Sequence, residues 1–302
     1  MKKLMCAMIV FSFCMVQLYP GYGSIEKLPG FGGQHGFVSL DFPPQTSASS
    51  VIVGDAETGR IIYQKNADEI RPIASLTKIM TAILVLEKGD LSEIVSIPKD
   101  FHRPYSWVMG LKPAQKIVMR DLLLAFLIES RNDAALAAAQ AVGGTEQGFV
   151  EMMNQKAKSI GANMTLYSNS HGLNTGGFNL STASDIFRMT MYAISNPKFR
   201  DIVNRKDAEI TLIGKSAKTK YLHNVNKMLF LYEGVDGVKT GYTKAAGKCI
   251  ALSAKKGNRH VICVILNSKN IWKESQQMLD YGFARVSSIK YGDDYRQDLG
   301  NF

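Results

Sequence analysis

The spacing of apolar residues changes period twice along this chain, and that restricts the fold more than any single motif does. Between Ser50 and Asn66, SVIVGDAETGRIIYQKN holds two β-branched runs around Glu57-Thr58-Gly59, the pattern of a hairpin. From Ile73 the period becomes helical: Leu76, Ile79, Met80, Ile83, Leu84 and Leu86 share one face, and Gly89 ends the run. RDLLLAFLIES and NDAALAAAQAVGG read as two helices joined at Ser130-Arg131-Asn132. TEQGFVEMMNQKAKSIG begins on a Thr cap, and STASDIFRMTMYAISN begins on a cap at Ser181 or Thr182. The period then reverts to strands in VDGVKTGYT, GKCIALSAKKG and RHVICVILNS, before a closing helix, WKESQQMLDYGFAR. Strands at both ends with helices between predict an α+β fold. The first hairpin and the last three strands make one antiparallel five-stranded sheet, flanked by the closing helix. The central helices make a mostly helical second lobe, with a cleft between the lobes.

The first residues stand apart. MKKLMCAMIVFSFCMVQLYPGYGS has two lysines, an uncharged apolar stretch too short for a membrane span, and small residues before Ser24. It reads as a secretory signal over residues 1–23, or as an uncleaved anchor; both place the body outside the cytoplasm. Residues 24–47, rich in Gly, Pro and Ser, read as an extended lead-in. The two-lobed body spans residues 48–286. Residues 287–302 form a tail too polar for an interfacial anchor. With the leader removed, Cys249 and Cys263 remain, in adjacent apolar runs around a turn. Two buried thiols or one disulfide fit that placement. The 36 Lys and Arg exceed the 26 Asp and Glu by ten. The lysines are scattered, with no arginine-rich arm, which argues against nucleic acid. Attraction to anionic wall polymers or lipid head groups, or plain solubility, accounts for the charge. The histidines have no ligand spacing, so no metal is expected, and no glycine-rich phosphate loop follows a strand.

Ser75 and Lys78 lie three residues apart where the first long helix begins. At that spacing they share a face, and a helix N-terminus adds free N–H groups and a positive dipole end. The pair fits a nucleophile beside its base; it also fits a capping serine with a solvated lysine. Ser-x-x-Lys recurs elsewhere in this chain, as at Ser96/Lys99 and Ser195/Lys198, so it is weak alone. Two further pieces add weight: Ser130-x-Asn132 at a helix–helix junction, and Lys239-Thr240-Gly241 on a strand. That ordered triple is characteristic of penicillin-binding proteins and class A β-lactamases.

With ASLTKIMTA, SRNDAALAAAQ, GLNTGGFNLSTASDI, NVNKML, VDGVKTGYT and MLDYGF, the chain resembles the low-molecular-mass penicillin-binding proteins over roughly residues 45–285. These are serine D-alanyl-D-alanine carboxypeptidases. The resemblance implies the serine β-lactamase-like fold, a bacterial periplasm or the outer side of its cytoplasmic membrane, and peptidoglycan stem peptides as substrate. It implies β-lactams as covalent inhibitors and no cofactor. Ser75 would attack the bond between two terminal D-alanines and Lys78 would take its proton. A lysine of pKa ~10.4 is neutral in about one molecule in 2,500 at pH 7. Burial and a second cation, Lys239, would lower that pKa. Ser130 would relay a proton to the leaving amine, and Asn132 would hold the substrate amide. Lys239 and Thr240 would bind the terminal carboxylate, and Gly241 would let backbone approach backbone. The N–H groups of Ser75 and Tyr242 would form the oxyanion hole.

Arg131 departs from the small residue common at that place in relatives, and adds charge near the cleft mouth. A class A β-lactamase needs a glutamate for its deacylating water. The nearest match, Glu151-Met152-Met153-Asn154, falls inside an amphipathic helix, so slow deacylation is expected. D-alanyl endopeptidase action on cross-links, and a non-catalytic wall-binding protein, are the other readings.

Overall fold

The computed structural model describes residues 42–174, 176–214 and 217–287. The leader over 1–23 and most of the lead-in fall outside them, as does the tail beyond Ser287. Thr46 and Ser47, at the end of the lead-in, are already docked: both bond to the Glu274 carboxylate.

The first turn forms because Asp55 accepts the N–H groups of Glu57 and Thr58 at 2.8 and 3.0 Å, while Gly59 takes φ +74°. It joins β1 (Ser50–Asp55) to β2 (Ile61–Lys65). After β3 (Arg71–Pro72) and a 3-10 turn (Ala74–Leu76) comes α1 (Thr77–Lys88). Two short strands follow, β4 (Ile94–Ser96) and β5 (Lys116–Val118), then α2 (Met119–Ile128), α3 (Asn132–Gly143) and α4 (Glu146–Ser159). β6 (Leu180–Ser181), α5 (Ala183–Ser195) and α6 (Pro197–Val203) lead to the hairpin β7 (Asp207–Ile213) and β8 (Lys218–His223). The chain closes with α7 (Met228–Leu231), β9 (Val235–Thr243), β10 (Gly247–Lys256), β11 (Arg259–Ser268) and α8 (Ile271–Ser287). The Thr145 and Thr182 hydroxyls cap α4 and α5.

The main sheet has the order β2-β1-β11-β10-β9, antiparallel throughout, as the two ends of the sequence predict. Both its faces are covered. Val51, Val53, Leu252, Cys263 and Ile265 pack with Met278, Leu279 and Phe283 of α8. Ile52, Ala251, Ile262 and Val264 join the larger core with Phe187 of α5 and the helices beyond. Double coverage is why HVICVIL reads as an unbroken apolar run rather than an alternating one. In α3 five of the six alanines, at 134, 135, 137, 138 and 139, are buried, which lets its neighbours approach closely.

Two findings differ from the sequence reading, and the cysteines follow one of the two readings given for them. α1 starts at Thr77, not Ile73, because Ala74 stands at φ +47°, outside the α-helical region, and a 3-10 turn intervenes. The carbonyl of Ala74 is crowded by Gly172, where a Cβ would lie 2.1 Å from it. A second antiparallel sheet, β4-β5-β7-β8, runs through the lobe expected to be helical. β4 and β5 are three residues long and β8 is largely exposed, so these three show no apolar period; β7 does alternate, with Ala208, Ile210 and Leu212 facing the core, a signal the sequence reading passed over. Cys249 and Cys263 are free, and they face opposite sides of the sheet rather than each other. Among the described residues no helix is long and apolar enough to cross a membrane.

Burial pushes the Cys249 thiol up to about 11 and the Cys263 thiol higher still. Iodoacetamide at pH 8 is therefore expected to leave both unmodified in native protein and to label both after unfolding. Peptide mass mapping reads the result; native labelling of either refutes the packing.

Candidate active site

Lys78 lies on the first turn of α1 with none of its surface exposed. Its Nζ donates to Ser75 Oγ at 3.0 Å, to Asn132 Oδ1 at 2.6 Å and to the His171 carbonyl at 2.6 Å. The 3-10 turn brings Ser75 over it, with Ser75 itself half-buried. The turn is braced from below: Thr77 Oγ1 donates to the Ala74 carbonyl, and Asn179 Nδ2 donates to Thr77 Oγ1.

The three partners of Lys78 differ in one respect that decides the chemistry. Asn132 Oδ1 and the His171 carbonyl can only accept; Ser75 Oγ alone carries a proton. When Lys78 is neutral, its two N–H bonds stay with the two pure acceptors and its lone pair faces the Ser75 hydroxyl. The site is thereby built to take a proton from Ser75. Asn132 is oriented for this by its other end, since Nδ2 donates to the Ser106 carbonyl at 2.8 Å.

Ser130 sits in the α2–α3 turn at φ +62°, nearly buried, two residues before Asn132. The third segment is β9. Gly241 passes against the 3-10 turn so closely that a Cβ would meet the Ser75 backbone nitrogen at 2.9 Å and the Ile73 carbonyl at 3.1 Å. The glycine is thus required by approach, not by a turn. Lys239 is buried on the same strand and donates to the Thr240 carbonyl at 2.9 Å. Thr240 is half-buried, and the Tyr242 side chain is exposed.

The electrostatics follow from burial. Desolvation first, and then the charge of Lys239, hold the Lys78 pKa well below the usual lysine range. Burial brings Lys239 down to about 7. The His171 imidazole is pushed down to about 3 by burial and by Lys78, so it is neutral. Its Nδ1 accepts from the Leu173 N–H. Among the described residues no group of His, Cys, Asp or Glu is placed to hold a metal ion.

Residues 38–270 match the model of the D-alanyl-D-alanine carboxypeptidase family. The chain belongs to that family. Its likeness to the D-alanyl-D-alanine carboxypeptidase DacF of Bacillus subtilis is 34% identity over 80% of this chain and 63% of DacF. It therefore spans less than two thirds of that relative. A crystal structure of a D-alanyl-D-alanine carboxypeptidase from Mycobacterium tuberculosis superposes with a TM-score of 0.75 at 29% identity, over 80% of this chain and 93% of that one. Penicillin-binding protein D2 of Listeria monocytogenes, solved in its ampicillin-bound form, gives 0.70 at 29% identity, over 79% and 98%. The family fold is the five-stranded sheet and helical lobe described above.

The structure brings Ser75, Lys78 and Asn132 into direct contact, lays Gly241 against Ser75, and puts Lys239 within electrostatic reach of Lys78. Sequence reasoning missed the His171 carbonyl, because a backbone acceptor leaves no mark in residue type. It also missed Asp133, a buried carboxylate whose oxygens accept the N–H groups of Met109, Gly110 and Leu111 at 2.8–2.9 Å. Asp133 follows Asn132 at the start of α3, and an acid there was the available signal.

The buried lysines should make this site a stability liability. The folded pKa of Lys239, about 7, lies below its unfolded value, so the unfolded chain binds more protons between the two. Stability from this group is then expected to rise as pH climbs from 7 toward 10. Lys239→Met should raise the unfolding free energy at pH 7 by about 1–4 kcal/mol, as apolar replacement of buried charge does, and flatten the pH slope. Urea unfolding at pH 7 and pH 9 checks both; a less stable variant contradicts the assignment.

Proposed function

We propose that this protein is an exported serine DD-peptidase that removes the terminal D-alanine from peptidoglycan stem peptides and is inhibited by β-lactams. The observation that carries the reading is the Lys78 amine at 3.0 Å from Ser75 Oγ, with its other contacts going to pure acceptors.

The steps follow from the geometry. The substrate's terminal carboxylate binds Lys239 and Thr240 on β9, which sets the penultimate D-alanine carbonyl over Ser75. Asn132 keeps one amide N–H for the substrate backbone while its oxygen holds Lys78. Ser75 Oγ attacks the carbonyl carbon as its proton passes to Lys78. The N–H groups of Ser75 and Tyr242 stabilise the oxyanion. The C–N bond then breaks, and the leaving amine takes its proton through Ser130. Free D-alanine departs, and water hydrolyses the acyl-serine.

The same serine opens a β-lactam ring and keeps the acyl group. Glu151, the candidate for activating a deacylating water, is exposed on α4 beside Gln147. Its position supports slow release and argues against β-lactamase action. The export reading rests on the N-terminal sequence and on the site of peptidoglycan outside the cytoplasm.

Mass spectrometry of products from a pentapeptide and from a cross-linked dimer tests the proposal. Loss of one alanine from the pentapeptide with the dimer intact is expected; cleavage of the dimer alone makes the protein an endopeptidase. Ser75→Ala should lower D-alanine release by about 10³-fold or more and abolish covalent penicillin labelling. A binder without catalysis would release no D-alanine even as wild type. Many penicillin turnovers per second would refute the assignment.

Gly241→Ala should slow penicillin acylation about tenfold or more, since a 1 Å misplacement can cost 10²-fold. Labelling time courses read it, and an unchanged rate would contradict the close approach of β9 to Ser75.

A further inference from the structure

The stretch Tyr105–Leu111 is fixed to the Ser130 turn at many points. The Trp107 carbonyl accepts from the Asn132 N–H at 2.9 Å, and the Ser106 carbonyl from Asn132 Nδ2 at 2.8 Å. Arg131 donates to the Val108 carbonyl at 3.2 Å, and Lys220 to the Met109 carbonyl at 2.6 Å. Asp133 holds the next three N–H groups. The indole itself spans the turn. Its Nε1 donates to the Glu129 carbonyl at 2.7 Å, and the Arg131 guanidinium, paired with Glu129, lies 5.8 Å from the ring centroid. Glu129 and Arg131 are the two residues flanking Ser130.

Held this way, Trp107 still exposes 58% of its surface and Tyr105 70%. Folding does not account for that exposure. The anchors from Asn132, Asp133, Arg131 and Lys220 act on backbone atoms and place no demand on the side chain at 107. Trp107 also takes φ +52°, a conformation that bulky residues seldom adopt. With its N–H already bonded, the ring offers solvent an apolar π face at little further entropic cost.

We propose that Trp107, with Tyr105 nearby in the chain, is a specificity platform for the acyl donor. It takes a CH-rich aliphatic stretch of the donor upstream of the two D-alanines. The inference rests on the DD-peptidase reading. The D-alanyl end of the donor is assigned to β9, so the remainder leaves between β9 and the Ser130 turn, along which the indole lies. The step involves no bond change; the ring contributes contact area to donor binding and to the acylation transition state.

The test compares two pentapeptide donors that differ at the third residue, lysine in one and glycine in the other. Trp107→Ala is expected to lower kcat/KM for the lysine donor about tenfold more than for the glycine donor. Trp107→Phe, which keeps a ring face but loses the N–H to Glu129, should retain most of that preference. The chain has two tryptophans, so Ser75→Ala/Trp272→Phe leaves Trp107 as the sole indole. Its emission should shift on titration with the lysine donor. Equal losses on both donors, or unchanged emission at saturation, would overturn the platform alone and make Trp107 a structural residue. Wild-type protein inert toward both donors and unlabelled by penicillin would overturn the platform together with the DD-peptidase reading.

Discussion

A lysine amine buried among a hydroxyl, an amide oxygen and a peptide carbonyl is the constraint from which the rest of the site follows. Removing an ammonium from water costs several kcal/mol even after relaxation, and these three partners are neutral dipoles. Burial therefore lowers the Lys78 pKa, and in the neutral form the two pure acceptors decide where the lone pair points. The same contacts cross-link the chain. They join residue 78 to residues 54 and 93 positions away, on α3 and on the loop before β6. A change at any of the three partners alters both the base and the packing of the helical lobe.

Elements with a strong period or a named cap were legible in the sequence: the first hairpin, the Thr145 and Thr182 caps, and the doubly covered strands β10 and β11. The three motif segments were legible because their chemistry lies in side chains of distinctive type. The second sheet was not read, since KIV and IVS are too short to show a period, KTKYLH faces solvent, and only DAEITLI alternates, through Ala208, Ile210 and Leu212. Nor was the true start of α1, which depends on Gly172 pressing against Ala74 from almost a hundred residues away. The carbonyl of His171 was invisible for a plainer reason: any residue type supplies one, and the histidine ring that draws the eye is turned to the Leu173 N–H instead.

Among the described residues six other than glycine have positive φ, and three of them lie around this site. Ala74 precedes Ser75, Ser130 begins the second motif, and Trp107 lies beside it. Each such residue costs on the order of 1–3 kcal/mol unless its surroundings fix it. Here the fixing groups are identifiable. Ile73 donates its N–H to the Asn179 carbonyl, Gly172 packs on Ala74, and the Ser130 turn is bonded on one side to Ser106 and Trp107. Because the strained residues are over-determined, the hydroxyls at 75 and 130 need little reorganisation before reaction.

The start of α3 shows how such order is obtained with few residues. Asn132 sends its side chain inward to Lys78 and to Ser106, while Asp133, one position on, gathers three successive N–H groups of the 109–111 loop. A carboxylate in the first turn of a helix is favoured by the free N–H groups there, so Asp133 stabilises α3 as well as the loop. Consecutive residues of one helix turn thus fix Lys78 on one side and the loop that carries Trp107 on the other. Each has further anchors, the His171 carbonyl for Lys78 and Lys220 for the loop, but the first turn of α3 is the element they share. In the mechanism proposed above, the first turn of α3 is thus what links donor recognition with proton transfer, with no contact required between Trp107 and Lys78.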